Sequence, residues 1–211
     1  MNLKCLLFTK GWTWPDFIKM GSKVLLVCLL AAPFLNVLYL GFRGQLGANP
    51  VEQLILETGQ ASLMVFLFLL ALPRLAKWPG LGTWLLRWVK YSRLIGLTLF
   101  GYASLHIAIY GADHLGQWEK LPKELTRPFV VSGLVAWLIL LALAVTSNRV
   151  SRRILKQGWK KLHRLVWLTL PLLAVHITLK EEGDWDTALL WFSPLLLLLA
   201  LHRWRQFRAA S

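Results

Sequence analysis

Apolar residues along this chain fall into long blocks, and the breaks between blocks are short and dense in charge. Six blocks stand out: Ile18 to Gly41, Val51 to Leu72, Tyr91 to Gly111, Pro128 to Ser147, Trp159 to Leu179 and Trp185 to His202. About 20 apolar residues at 1.5 Å of rise each span a hydrocarbon core of roughly 30 Å, so each block predicts a membrane-crossing helix. The second block needs its polar first turns, with Glu52, Glu57 and Gln60, at headgroup level, because Ala61 to Leu72 is too short to cross by itself. No cleavable signal segment is read: Asp16 follows the first basic residues, and no small-residue cleavage pattern follows the first apolar run.

Composition agrees and narrows the class. Of 211 residues, 56% are hydrophobic and only 16% charged, against about 25% charged in a typical soluble domain. The expected fold class is therefore all-α, a polytopic six-transmembrane-helix bundle. The boundaries divide it into a tail at 1–17, the helical domain at 18–202 and a basic tail at 203–211. Six spans consume the length and leave no room for a soluble catalytic domain. Cys5 and Cys28, the two cysteines, sit in the tail and the first block and offer neither a disulfide framework nor a thiolate metal site.

The formal charge of +14 acquires a meaning once it is placed on the spans. If both termini face the cytoplasm, nineteen of the 24 Lys and Arg lie inside, while Arg43, Lys120, Lys123, Arg127 and Lys180 lie outside. Only Asp16 of the ten acidic residues is inside, giving +18 within and −4 without. This is a strong positive-inside bias, expected for a bacterial inner-membrane protein with cytoplasmic termini. Basic residues near that surface also attract anionic lipid headgroups. A nucleic-acid groove needs a basic stripe interleaved with exposed aromatics, and here the aromatics line the spans, so no nucleic-acid partner is expected. Trp12, Trp14, Trp78, Trp84, Trp88, Trp118, Trp159, Trp185 and Trp204 mostly mark block boundaries and read as an interfacial belt.

Three histidines fall inside spans, where an unpartnered imidazole is costly. His106 and His176 lie at matching depth near the outer ends of the third and fifth spans, a placement that can clamp one planar metal cofactor from both faces. Haem fits, since histidine is a standard axial ligand; neither cysteine nor a nearby carboxylate completes a zinc set. A hydrogen bond between helices is the plainer reading of any one of these histidines. His163 lies 13 residues before His176, about 20 Å away along a helix, too far to share a haem. On an ideal helix the two also point about 140° apart, and Pro171 between them is the expected place for a kink or rewinding. An inner haem on His163 lacks a histidine partner: the inner end of the third span offers Ser92 and Arg93. Arg93 reads either as an anion site for a haem propionate or flavin phosphate, or as a topology charge. His114 and His202 read as headgroup-level residues, His202 with an inner cofactor as the alternative. Gly96, Gly101 and Ala103 allow close approach of a neighbour or macrocycle.

The inner loop Asn148 to Lys161 is strongly basic and suits a docked flavoprotein or an anionic mononucleotide, but it lacks a dinucleotide-type glycine pattern. Gly116 to Arg127 is the longest outer connection and reads either as a periplasmic partner site or as a solvated hairpin.

At these residues the chain resembles a known family. The stretch LPKELTRPFVVSGLVAWLILLALAVTS (121–147), WKKLHRLVWL with His163, PLLAVH ending in His176, GQLGANPVEQLILETGQASL (44–63) and ASLH ending in His106 are similar to MsrQ (YedZ) proteins, of the ferric-reductase-like transmembrane group. That resemblance implies a six-helix haem b subunit with His106, His163 and His176 as ligands, carrying one haem or two. It implies electron transfer to a periplasmic molybdopterin methionine sulfoxide reductase, MsrP, that repairs oxidised envelope proteins. FMN, a cytoplasmic flavin reductase or a quinol is implied as the donor. Substrate catalysis is then expected in the partner. A proton-coupled small transporter and a non-redox membrane anchor are the competing classes; the first predicts a colourless protein with broken-helix repeats, and the second needs no aligned intramembrane histidines.

Overall fold

The computed structural model describes residues 14–78, 80, 82–114, 119, 121–180 and 185–210. Lys4, Cys5, Lys10, Trp12, Trp118 and Lys120 lie outside the described residues, as does the His114 side chain. The described residues form only helices and their connections. In order these are α1 (Trp14–Phe42), α2 (Pro50–Leu75), α3 (Gly82–Val89), α4 (Ser92–His114), α5 (Leu121–Glu124), α6 (Pro128–Val145), α7 (Arg149–Leu155), α8 (Gln157–His163), α9 (Val166–Lys180) and α10 (Trp185–Ala210).

Six segments are long and apolar enough to cross a membrane: Met20–Phe42, Pro50–Leu75, Ser92–Asp113, Pro128–Val145, Gln157–Lys180 and Trp185–Ala209. They coincide with the six apolar blocks, and the chain is a polytopic membrane protein. Its burial is that of a bundle meant for lipid: Leu190, Leu197 and Val145 stay more than half exposed, while a core of Leu26, Phe66, Leu72, Ile95 and Leu99 is closed. α2 lies at the centre, packed most extensively on α4 and also touching α1, α3 and α10; α6 packs on α9. The helices carrying the site are thus two pairs, α2 with α4 and α6 with α9, which meet along a narrower α4–α6 seam.

Local sequence explains where the elements start. Asn49 caps α2, its Oδ1 accepting from the Glu52 amide and its Nδ2 donating to the Glu52 carboxylate, with Pro50 in the first turn. Asn148 caps α7 by accepting from the Ser151 amide. Pro33 removes a donor inside α1, and one rung further on Tyr102 takes over the ladder. Its hydroxyl donates to the Leu30 carbonyl at 2.8 Å and accepts from the Phe34 amide at 3.2 Å, fastening α1 to α4. α3 lies beside α1 and α2, its Trp88 indole N–H shared between the Ser22 carbonyl and hydroxyl.

Two features differ from the expectation. The fifth span is interrupted at Arg164 and Leu165, between α8 and α9, whereas α9 runs through Pro171 without a break. The amides of Leu165, Trp167 and Leu168 each bond the carbonyl three residues back. Each residue wound this tightly turns roughly 20° further than in an α-helix, so the overwinding of the fifth span lies at this turn and not at Pro171. Secondly, α10 continues past His202 to Ala210, and Arg205 caps the Trp78 ring at 4.6 Å, so the basic segment is a helical extension docked on the connection after α2.

Candidate haem site

His106 lies in the last two turns of α4 and His176 one turn from the end of α9. Their rings face each other with centroids 6.2 Å apart and planes at 84°. Each is oriented by the partner helix of its own pair: His106 Nδ1 meets the Ile55 carbonyl of α2 at 2.9 Å, and His176 Nδ1 meets the Phe129 carbonyl of α6 at 2.7 Å. A carbonyl oxygen only accepts, so Nδ1 carries the proton in both rings and Nε2 keeps its lone pair. This is the arrangement by which proteins fix the tautomer of a metal-binding imidazole.

The rings reach those carbonyls because the neighbouring helices are bare at the point of contact. A Cβ on Gly59 would sit 3.1 Å from His106 Nδ1, and one on Gly133 would sit 2.7 Å from His176 Nδ1. These glycines lie four residues beyond Ile55 and Phe129, so carbonyl and gap occupy neighbouring turns of one helix face.

The donor set answers whether a metal cofactor fits. Ring centroids 6.2 Å apart are close enough for both imidazoles to reach a single ion with nitrogen–metal bonds of about 2 Å. Among the described residues no group of three or more His, Cys, Asp and Glu could hold a metal ion. The pair therefore suits an ion whose remaining coordination positions are supplied by its own macrocycle. Haem b would meet that description, and His106 and His176 are the residues that would hold it.

The seam beside the pair is held by Trp137 of α6, whose indole N–H donates to the Ser104 hydroxyl of α4 at 3.0 Å and whose ring stacks on Phe100. Above it, Tyr110 of α4 donates to Glu124 of α5 at 3.1 Å, and Glu124 pairs with Arg127 at 3.0 Å.

His163 occupies a separate place. It ends α8, its Nδ1 3.1 Å from the Trp159 carbonyl and its Nε2 3.4 Å from the Ser147 hydroxyl. Its ring stacks on Trp159 with centroids 3.9 Å apart, and Arg152 lies 4.8 Å from the same indole. The Trp159 N–H donates to the Thr146 carbonyl and ties α8 to the end of α6. Arg93 is exposed in the first turn of α4, and among the described residues no bond joins it to His163. His202 contacts Gln206 of its own helix. Gly96 lies 3.9 Å from Leu69 and serves the α2–α4 contact, while Gly101 has nothing within 4 Å.

Sequence reasoning did not find Gly59, Gly133 or the carbonyls of Ile55 and Phe129. The available signal was a single glycine set in each of two apolar spans, and pairing it with a histidine 47 or 43 positions away requires the fold.

Comparison with known proteins identifies the family of the chain. The profile of the family described as ferric reductase like transmembrane component matches residues 58–174, a stretch that includes His106 and His163 and stops two residues short of His176. A protein of Caulobacter vibrioides named protein-methionine-sulfoxide reductase heme-binding subunit MsrQ is 35% identical over 186 residues, covering 85% of each chain. No solved structure matches the chain. By both profile and relative, the chain belongs to the MsrQ (YedZ) family of ferric-reductase-like transmembrane proteins.

Proposed function

We propose that this protein conducts electrons across the bacterial inner membrane through a haem b held by His106 and His176, delivering them to a periplasmic MsrP-like molybdopterin enzyme that reduces methionine sulfoxide in envelope proteins. The observation that carries the reading is the facing pair of imidazoles, 6.2 Å apart, each with Nδ1 fixed on a carbonyl and Nε2 directed to no protein partner among the described residues. A haem held there would supply a one-electron couple. The chain's own part is to hold the two rings, exclude water with the surrounding apolar helices, and keep the site near the end of the bundle away from the basic collar.

That collar, with Arg149, Arg152, Arg153, Lys160, Lys161 and Arg164 on α7, α8 and the turn that follows, supports a cytoplasmic orientation for its end by the positive-inside rule. It also gives a cationic docking surface for an anionic donor such as an FMN-bearing flavin reductase, with Arg93 at the same end of α4; a quinol from the bilayer is the other donor class. His163, stacked on Trp159 at this end, is assigned to the inner half of the route, with an inner haem as one use of its Nε2. The Caulobacter vibrioides relative, named as the haem-binding subunit of a protein-methionine-sulfoxide reductase, supports a haem cofactor and a link to methionine sulfoxide reduction.

A reduced-minus-oxidised spectrum of purified protein, with haem and flavin stoichiometry, tests the proposal. His106→Ala and His176→Ala are each expected to remove the Soret band of the outer haem, and His163→Ala to keep it. Unchanged haem content in the first two variants would overturn the assignment.

A further inference from the structure

The two histidines belong to different helix pairs, and something must fix one pair against the other. Close to the histidines, α4 and α6 are joined through Trp137 on one side and through Tyr110 on the other. Tyr110 stands four residues beyond His106, one turn further along the same face of α4. Its hydroxyl donates to Glu124 Oε2 at 3.1 Å, and Glu124 Oε1 takes an ion pair at 3.0 Å from Arg127. The Glu124 side chain is only 12% exposed, so its two oxygens have few alternatives to these partners. Arg127 is the residue before α6, and two positions later Phe129 presents the carbonyl that holds His176 Nδ1. A path of polar contacts therefore leads from the helix of one imidazole to the carbonyl that orients the other.

We infer that Tyr110, Glu124 and Arg127 form a brace that sets the spacing and the near-perpendicular angle of the His106 and His176 rings. They are positioning residues for the axial pair. The inference rests on the haem reading above. Tyr110→Phe removes the hydroxyl and keeps the ring, and Glu124→Gln keeps volume while weakening both contacts. Thr126→Ala is the control, since Thr126 Oγ1 bonds the nearby Lys123 carbonyl and, among the described residues, no group on α4.

The full chain is purified in detergent with its haem, and three readouts are taken: the ferric electron paramagnetic resonance spectrum, carbon monoxide binding by the ferrous form, and the rate of haem loss to excess apomyoglobin. The wild type is expected to give the strongly anisotropic low-spin signal of crossed imidazole planes and to resist carbon monoxide. Tyr110→Phe and Glu124→Gln are expected to retain haem, shift toward a more rhombic signal, admit carbon monoxide in a fraction of molecules, and lose haem roughly 10-fold faster, the lower end of outer-sphere effects at metal sites. The double variant should match the worse single variant, because both cut one path, and Thr126→Ala should match the wild type. Variants that keep the wild-type signal, inertness and rate overturn the brace while leaving the haem ligands standing. A wild type without a bis-histidine spectrum overturns the ligands and the brace together.

Discussion

Gly133→Ala separates the cofactor site from the stability of the helix that builds it. The new methyl carbon would lie 2.7 Å from His176 Nδ1 and 2.9 Å from Cε1, well inside ordinary van der Waals contact. The imidazole has to retreat by roughly 0.7 Å to restore a carbon–nitrogen contact near 3.4 Å, because packed interiors absorb such overlap by strain. That retreat stretches the 2.7 Å bond to the Phe129 carbonyl, which costs about 1 kcal/mol or more, and it swings Nε2 off the axis shared with His106. Disturbing such outer contacts typically lowers metal-site affinity about 10- to 100-fold. The helix itself gains, since alanine is favoured over glycine by about 1 kcal/mol in a helix interior. Haem titration into the apoprotein should therefore show weaker binding while thermal melting of the apoprotein stays level or rises. At Gly59 the clash is milder, 3.1 Å, so Gly59→Ala should weaken haem less; Gly101→Ala, with open space around it, should leave haem affinity unchanged. Wild-type haem affinity in Gly133→Ala, or a larger loss in Gly59→Ala, would refute the cradle argument.

Other outcomes follow from single contacts. Tyr102→Phe leaves the Leu30 carbonyl and Phe34 amide of α1 without their shared partner, and should destabilise the protein by about 1–3 kcal/mol in detergent unfolding without altering the haem spectrum. Trp137→Phe removes the bond to Ser104 and should cost about 1 kcal/mol, read as a lower melting temperature. Trp159→Leu strips the stacking partner of His163 and Arg152; donor-driven reduction should slow while the outer haem keeps its absorbance, whereas loss of that absorbance would place His163 and His176 in one site.

The spans were legible because lipid imposes a coarse requirement: about 20 apolar residues leave a plain signature, and Pro50 and Pro128 mark helix starts that the structure places at those residues. The facing of His106 and His176 was legible from depth alone, since two residues near the same end of antiparallel or parallel spans differ only by a count along each helix. What holds them was hidden. The partners of both Nδ1 atoms are backbone carbonyls, which every residue possesses, so nothing in the identity of Ile55 or Phe129 announces the role. The break in the fifth span was misplaced for a related reason. Proline is a visible helix breaker, yet α9 passes Pro171, and the rewinding falls on Arg164 and Leu165, whose three-residue hydrogen bonds no side chain predicts. The stacking of His163 on Trp159 follows from an i, i+4 spacing that was present but ambiguous among so many tryptophans.

Passage of electrons across this protein by way of a haem held by His106 and His176 is the step proposed for it. It is tested most directly in proteoliposomes that hold a reduced flavin donor on the side of the basic collar and a membrane-impermeant one-electron acceptor on the other. The account predicts steady reduction of the acceptor by the wild-type protein and a fall to the rate of empty vesicles in His106→Ala. Undiminished transfer in that variant would contradict it.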